Sequence, residues 1–134
     1  MSGTISRRQL LAAATLMILA PRPALASGGL RDVSPQDAFE ALQDNSAILV
    51  LDIRTPREFA SGHLEGAINI DYYAKDFAAR IRALDPERSY VMYCQAGGRS
   101  HALMRAFSQA PFRDVMHIPA GFSGWRRQGL PFVT

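Results

Sequence analysis

Cys94 is the residue with the clearest chemical potential, and it is the only cysteine in the chain. It opens the segment 94–100 (Cys-Gln-Ala-Gly-Gly-Arg-Ser), between an apolar run at 90–93 and a segment with helical spacing at 101–107. A glycine-containing loop that leads from a strand into a helix turns backbone N–H groups toward a common point. With Arg99, these groups favour a negative charge on the sulfur, so we expect a lowered pKa for Cys94. The sequence therefore predicts a thiolate nucleophile that faces an anionic, electrophilic substrate.

A lone cysteine can also be purely structural, as a small buried hydrophobic side chain. Here Cys94 follows a predicted strand and is followed by a glycine-containing turn and a helix start. This succession favours a nucleophile over a structural cysteine, so we assign catalysis to Cys94. Ser100 also has a suitable side chain to cap the following helix. Substrate binding is assigned to the rest of the loop, which consists of Gln95, Ala96, Gly97, Gly98, Arg99 and Ser100.

The three histidines and the tryptophan have structural roles as their simplest interpretation. His63 lies in a glycine-flanked loop, where a structural hydrogen bond is favoured, because a stabilised thiolate needs no general base. His101 is expected on the solvated surface of a helix, and His117 as a packing or edge residue of a strand. Trp125 is expected to seal the core. The sequence has no cluster of metal ligands at useful spacing, so no metal site is predicted.

The elements that must position Cys94 follow from hydrophobic patterning. Apolar runs at 47–51, 67–70, 90–93 and 114–118 predict four strands, with helical segments between them. Such alternation implies an open parallel α/β sheet. Ligands in such sheets bind beyond the carboxyl ends of the strands, where Cys94 lies.

Capping residues mark two helix starts. Ser34 precedes a proline with an acid in the first turn, and Thr55 and Glu58 have the spacing of a capping box. Further helices are predicted around 77–84, 101–107 and 122–125.

The segment 1–26 predicts an export signal rather than a part of the fold. Residues 6–11 (Ser-Arg-Arg-Gln-Leu-Leu) resemble the bacterial twin-arginine motif, and the apolar stretch 10–20 is too short to cross a bilayer. Residues 24–26 (Ala-Leu-Ala) form a small-x-small pattern, so we expect cleavage after Ala26 and a periplasmic protein without stable membrane association. A permanent anchor, a disordered tail and the general secretory route compete with this interpretation.

Removal of that segment changes the charge balance. The chain has 15 Lys and Arg against 12 Asp and Glu, and three of the arginines lie within 1–26, which leaves 12 of each sign in 27–134. A net charge of zero argues against nucleic acid or an anionic membrane as a partner. The length of 27–134 suits one domain, and a single cysteine excludes an internal disulfide.

The motifs of this domain resemble those of the rhodanese family, in family order and over nearly all of 27–134. The closest likeness is to small periplasmic single-domain members of the phage-shock E type. The resemblance implies a single rhodanese-like α/β domain, with an open parallel five-stranded sheet and helices on both faces. The matching segments are 51–54 (Leu-Asp-Ile-Arg), 58–59 (Glu-Phe), 62–70 (Gly-His-Leu-Glu-Gly-Ala-Ile-Asn-Ile), 94–100 and 120–125 (Ala-Gly-Phe-Ser-Gly-Trp).

The resemblance also implies a sulfurtransferase that carries sulfur as a persulfide on Cys94. Sulfane sulfur would come from thiosulfate or a related donor and pass to cyanide or a thiol, with no cofactor, because sulfur itself is the carried group. Arg99 would orient the oxyanion of the donor. Asp52 and Arg54 would form a supporting ion pair that organises loops, rather than an acid–base pair. Apart from these small molecules no partner is expected, and we expect a monomer.

Three rival functions are compatible with a cysteine loop of this kind. Phosphatases and arsenate reductases of this architecture carry one more residue between the cysteine and the arginine, whereas four residues separate Cys94 from Arg99 here. The shorter loop suits a sulfur atom better than a tetrahedral oxyanion. The second rival is a persulfide carrier, and the third is a non-catalytic binding module with the rhodanese fold. The presence of both Cys94 and Arg99 argues against the binding module.

Overall fold

The computed structural model of the chain describes residues 28–134. The predicted export segment 1–26 and its cleavage site lie outside the described residues. Over the described residues, five strands alternate with five helices. In chain order they are β1 (Gly29–Asp32), α1 (Pro35–Asp44), β2 (Leu49–Asp52), α2 (Pro56–Ala60), β3 (Ile68–Asn69), α3 (Phe77–Arg82), β4 (Ser89–Tyr93), α4 (Gly98–Phe107), β5 (Asp114–His117) and α5 (Gly121–Arg127).

The strands form one parallel sheet in the order β1-β5-β4-β2-β3. β4 lies inside the sheet, and its residues Val91 and Met92 are fully buried, as a strand covered on both faces requires. Asp52 at the end of β2 pairs in register with Tyr93 at the end of β4. The residues that follow these two strands therefore meet at one edge of the sheet. The predicted parallel five-stranded α/β fold is confirmed.

β1 is the strand that the apolar runs did not predict. It contains one large apolar side chain, Leu30, and joins an edge of the sheet by backbone pairing with β5, where Asp32 lies opposite His117. Backbone pairing at an edge needs little apolar side-chain surface, so composition alone is a weak signal there. The predicted runs 47–51, 67–70 and 114–118 differ by one or two residues at their ends from β2, β3 and β5.

The helix caps predicted at Ser34 and Thr55 are present, whereas the predicted Ser100 cap is wrong, because α4 starts at Gly98 with Gly97 as its N-cap and Ser100 lies inside the helix. The Ser34 side chain accepts a hydrogen bond from the Asp37 N–H at 3.0 Å. The Glu58 N–H donates to Thr55 Oγ1 at 3.3 Å, and the Thr55 N–H donates to Glu58 Oε2 at 2.9 Å. This capping box starts α2 within a few residues of β2 and keeps Glu58 near the edge of the sheet where Cys94 lies.

Helices cover both faces of the sheet, as predicted. On one face, α3 and α4 contribute Ile81, Leu103 and Phe107 to a core that includes alternate strand residues. On the other, α1 and α5 contribute Ala38 and Trp125. No helix within residues 28–134 is long and apolar enough to cross a membrane.

Candidate active site

The loop between β4 and α4 is shaped by two close backbone approaches. Gly97 precedes α4 with a φ of 98°, and a Cβ atom there would overlap the backbone carbonyl of Pro119. Gly121, at the start of α5, has a φ of 62°, and its Cβ would lie 2.5 Å from the Gln95 carbonyl oxygen. Only glycine allows both the positive φ and the close contact. The loop is therefore seated against the turn that joins β5 to α5.

The sulfur of Cys94 accepts hydrogen bonds from this loop. The Gly97 N–H donates to Cys94 Sγ at 3.1 Å, and Ser100 Oγ lies 3.3 Å from the same sulfur. Burial on its own would raise the pKa of Cys94. The Ser100 hydroxyl, with the N–H groups of Ser100, Gly97 and Ala96, outweighs that effect and brings the pKa below its usual value. The arrangement favours a thiolate at the end of β4.

The sulfur of Cys94 has little access to water. Cys94 is 1% exposed and belongs to the core cluster on the α3 and α4 side of the sheet. A charge in such a place depends on protein donors in place of solvent. The loop supplies these donors, so the sulfur is poorly hydrated and held by protein hydrogen bonds.

Asp52 and Arg54 form a buried ion pair beside the loop. Arg54 Nη2 donates to Asp52 Oδ2 at 2.7 Å, and both side chains are almost fully buried. The same nitrogen donates to the Gly62 carbonyl at 2.6 Å, and the guanidinium lies 4.3 Å from the ring centroid of Phe122. Arg54 therefore ties the end of β2 to the loop after α2 and to α5. The pair holds loops together and lies apart from the sulfur's hydrogen bonds.

The side chain of Gln95, assigned to substrate binding, is engaged elsewhere. Arg54 Nη1 donates to Gln95 Oε1 at 3.0 Å, and Gln95 Nε2 donates to Ser123 Oγ at 2.9 Å. These bonds anchor the loop to β2 and α5. The Gln95 side chain is therefore engaged in holding the loop rather than directed to a substrate.

Arg99 is paired with Glu58, a partner that sequence reasoning missed. Its two terminal nitrogens donate to the two carboxylate oxygens at 2.8 and 2.9 Å. The pairing lowers the pKa of Glu58 to about 2 against the effect of burial, and raises the pKa of Arg99. The guanidinium also lies 5.7 Å from the ring centroid of Tyr73. Arg99 is thus held as a fixed cation near the loop, without a hydrogen bond to the sulfur.

Comparison with known proteins shows the family of the chain. The model of the rhodanese-like domain family matches residues 34–128, which include the loop, Glu58 and the Asp52–Arg54 pair. The chain belongs to the rhodanese family.

Curated relatives of this rhodanese-like domain include two bacterial sulfurtransferases. The chain is 37% identical over 95 residues to the thiosulfate sulfurtransferase GlpE of Pseudomonas aeruginosa, a match that covers 70% of this chain and 82% of the relative. It is 28% identical over 105 residues to a sulfurtransferase of Allochromatium vinosum, with 78% of this chain and 96% of the relative covered. Sulfur transfer is therefore the activity supported at the level of the family.

The fold has solved counterparts. A rhodanese-related protein of Thermoplasma volcanium matches with a TM-score of 0.68 and 27% identity, over 77% of this chain and 97% of that one. The polysulfide-sulfur transferase homodimer of Wolinella succinogenes matches with a TM-score of 0.65 and 24% identity, over 78% of each chain. The second likeness shows the fold alone.

The rhodanese-like domain places His117 differently from the sequence-based expectation. β5 lies between β1 and β4, so His117 is not at an edge, and the residue is fully buried. Its Nε2 lies 2.7 Å from Ser100 Oγ, and its Nδ1 lies 2.8 Å from Asp32 Oδ1. Of the two expected roles, the edge position is wrong and the buried packing position is confirmed, and both ring nitrogens are in addition engaged by polar groups. The signal was a histidine that directly follows the apolar pair Val115 and Met116 in a strand.

His63, Trp125 and His101 lie where the sequence predicts them. His63 stacks on Phe59 and its Nδ1 lies 2.9 Å from the Phe59 carbonyl oxygen, which confirms a structural hydrogen bond. Trp125 is 2% exposed in the core, and its indole N–H donates to the Pro131 carbonyl. His101 is exposed on α4, as predicted. Within residues 28–134, no group of three or more His, Cys, Asp or Glu side chains could hold a metal ion.

Proposed function

We propose that the protein transfers sulfane sulfur from thiosulfate, or a related donor, through a persulfide on Cys94 to a thiol or to cyanide. The observation that carries the proposal is the hydrogen bonding of Cys94 Sγ by the Gly97 N–H and the Ser100 hydroxyl. These donors favour the thiolate, which is the nucleophilic form of cysteine. The name of the GlpE relative supports thiosulfate as the donor.

The first step forms a bond between Cys94 Sγ and the outer sulfur of thiosulfate. The S–S bond inside thiosulfate breaks, and its electron pair leaves with sulfite. Cys94 now carries a persulfide whose outer sulfur is anionic. The Gly97 N–H beside Sγ and the nearby cation of Arg99 would stabilise that charge.

The second step regenerates the enzyme. Cyanide or an acceptor thiolate forms a bond with the outer sulfur, and the S–S bond to Cys94 breaks with its electron pair on Sγ. The same loop donors stabilise the leaving thiolate, so one set of hydrogen bonds serves both half-reactions. Kinetics of the double-displacement type are expected.

Mass spectrometry of the protein after incubation with thiosulfate tests this function. We expect the intact protein to gain one sulfur atom, and cyanide to remove that atom as thiocyanate. Cys94→Ser should gain none and should lose turnover, because Cys94 is the only cysteine in the chain. Protein alkylated at Cys94 before the incubation is the matched control. Turnover retained by folded Cys94→Ser, or no sulfur gained by the wild type, would refute the proposal.

A further inference from the structure

A continuous set of hydrogen-bonding groups links the sulfur to Asp32, the last residue of the outer strand β1. Ser100 Oγ lies 3.3 Å from Cys94 Sγ and 2.7 Å from His117 Nε2. His117 Nδ1 lies 2.8 Å from Asp32 Oδ1. The four side chains come from the end of β4, from α4, from β5 and from β1. They meet because β5 pairs with β4 on one side and with β1 on the other.

The hydrogens in this set can be counted. An ionised Asp32 carboxylate only accepts, so His117 Nδ1 must carry a hydrogen. In a neutral imidazole Nε2 then carries none and accepts the single hydroxyl hydrogen of Ser100. Ser100 has no second hydrogen for Cys94, so the sulfur in this arrangement is a thiol that donates its own hydrogen to Ser100 Oγ.

A second arrangement has the same number of hydrogens. If His117 carries hydrogens on both ring nitrogens, Nε2 donates to Ser100 Oγ. The Ser100 hydroxyl can then donate to the sulfur at 3.3 Å, with the Gly97 carbonyl at 3.2 Å as its other acceptor. The sulfur is then a thiolate, and the imidazolium faces the Asp32 carboxylate. The two arrangements differ only in the position of two hydrogens along the set.

We propose that Asp32, His117 and Ser100 form a proton relay that takes the thiol proton of Cys94. The S–H bond breaks as its hydrogen passes to Ser100 Oγ, and the Ser100 O–H bond breaks as its hydrogen passes to His117 Nε2. A neutral thiol and a neutral imidazole become a thiolate and an imidazolium, with no other reactant. His117 acts through Ser100 and is therefore a positioning residue for the reaction.

The surroundings of His117 suit this role. The ring is buried, so a charge on it depends on neighbouring groups, whereas the Asp32 side chain is 63% exposed at the edge of the sheet. The titratable groups against the ring are Asp32 from β1, His101 from α4 with ring centroids 6.5 Å apart, and Cys94 through Ser100. Two of these three favour the imidazolium when ionised. In the relay, the buried thiolate is therefore balanced by the His117 imidazolium, which hydrogen-bonds to the exposed carboxylate of Asp32.

The use of the relay in turnover rests on the proposed function, but the relay itself can be tested on the thiol alone. The probe is the rate of Cys94 alkylation by iodoacetamide as a function of pH, because only the thiolate reacts. In His117→Gln the side chain still forms hydrogen bonds but cannot take a proton. We expect its alkylation at neutral pH to slow by at least about tenfold, while the limiting rate at high pH is kept.

Asp32→Asn is the second variant, since Asp32 is exposed and its replacement should leave the fold intact. It should raise the pH midpoint of Cys94 alkylation, but by less than His117→Gln does. The amide oxygen still accepts from Nδ1, but it carries no charge to offset the imidazolium. Asp37→Asn, in the exposed first turn of α1, is the matched control and should follow the wild type. A midpoint unchanged in folded Asp32→Asn and His117→Gln would overturn the relay.

Ring-nitrogen NMR of His117 gives an independent readout. At neutral pH we expect hydrogens on both ring nitrogens in the wild type, and on Nδ1 alone in Cys94→Ala, where no thiol proton is available. The same state in both proteins would overturn the relay. If the alkylation midpoints move but no sulfur is transferred, the relay stands and the proposed function fails. If sulfur is transferred but the alkylation midpoints do not move, the proposed function stands and the relay fails.

Discussion

At the scale of single residues, Glu58 has two partners that differ in how well sequence predicts them. Its capping contact with Thr55 lies three residues away and follows from local spacing. Its ion pair with Arg99 spans 41 positions and joins α2 to α4, so it depends on how the helices are placed on the sheet. Local chemistry is therefore predictable from the chain, and the second contact is not.

The Glu58–Arg99 pair predicts a particular acid dependence of stability. The pKa of Glu58 falls from an ordinary value of 4.5 to about 2, chiefly because Arg99 hydrogen-bonds to the carboxylate. A carboxyl group whose pKa falls on folding stabilises the native state above its unfolded pKa. This contribution is complete above pH 4.5 and is lost as the pH falls toward 2. Glu58→Gln should therefore lose less stability than the wild type across this window, as measured by urea unfolding at stepped pH.

Glu65→Gln, at an exposed position in the loop before β3, is the matched control for that experiment. It should retain the acid dependence of the wild type. A Glu58→Gln curve that runs parallel to the wild type through the whole window would contradict the assignment.

At the scale of elements, the loop that holds Cys94 depends on the start of α5 as much as on its own residues. Gly121 and Gln95 are in backbone contact, and the Ser123 N–H donates to the Gln95 carbonyl at 3.0 Å. The 94–100 loop could be predicted because its residues are contiguous. Its support by Gly121 could not be derived from local pattern, because that contact brings together two segments from neighbouring strands.

Gly121→Ala should damage the site through this contact. A left-handed φ costs a non-glycine residue about 1–2 kcal/mol, and the new Cβ would also lie 2.5 Å from the Gln95 carbonyl oxygen. We expect the free energy of unfolding to fall by about 3 kcal/mol or more. Alkylation of Cys94 at neutral pH should also slow in the folded fraction, because the loop donors move from the sulfur.

Gly66→Ala separates the backbone cost from the clash. Gly66 has a φ of 74°, but a Cβ there meets no atom within 4 Å. This variant should lose only about 1–2 kcal/mol and should keep the alkylation profile of the wild type. Equal losses in both variants would show that the contact with Gln95 is unimportant.

At the scale of the whole molecule, the sheet was predictable from the sequence, whereas the hydrogen bonds that cross it from β1 to α4 were not. The family motifs predicted the five-stranded sheet and the position of Cys94 at its carboxyl edge. The hydrogen bonds that join Asp32 through His117 to Ser100 were not predicted. Asp32 and His117 are 85 positions apart and meet only through the register of β1 with β5. β1 has too few apolar side chains to be recognised as a strand from composition.

We propose that residues 1–26 export this domain to the periplasm through the twin-arginine route, on the strength of Arg7 and Arg8 in their motif. A double change of Arg7→Lys and Arg8→Lys should abolish the periplasmic pool, because that motif is read by a receptor. Arg22→Lys, in the same segment but outside the motif, is the matched control. The measurement is the amount of cleaved protein in cell fractions. A normal periplasmic yield of the double variant would instead indicate the general secretory route.

β1 is a four-residue strand at the margin of the sheet, and its ladder partner is β5. Such margins fray more readily than interior strands. If this margin peels away, Asp32 leaves His117 while β2 and β4 keep the loop intact. Local opening of β1 would then slow the alkylation of Cys94. Amide hydrogen exchange at 29–32 would record that opening.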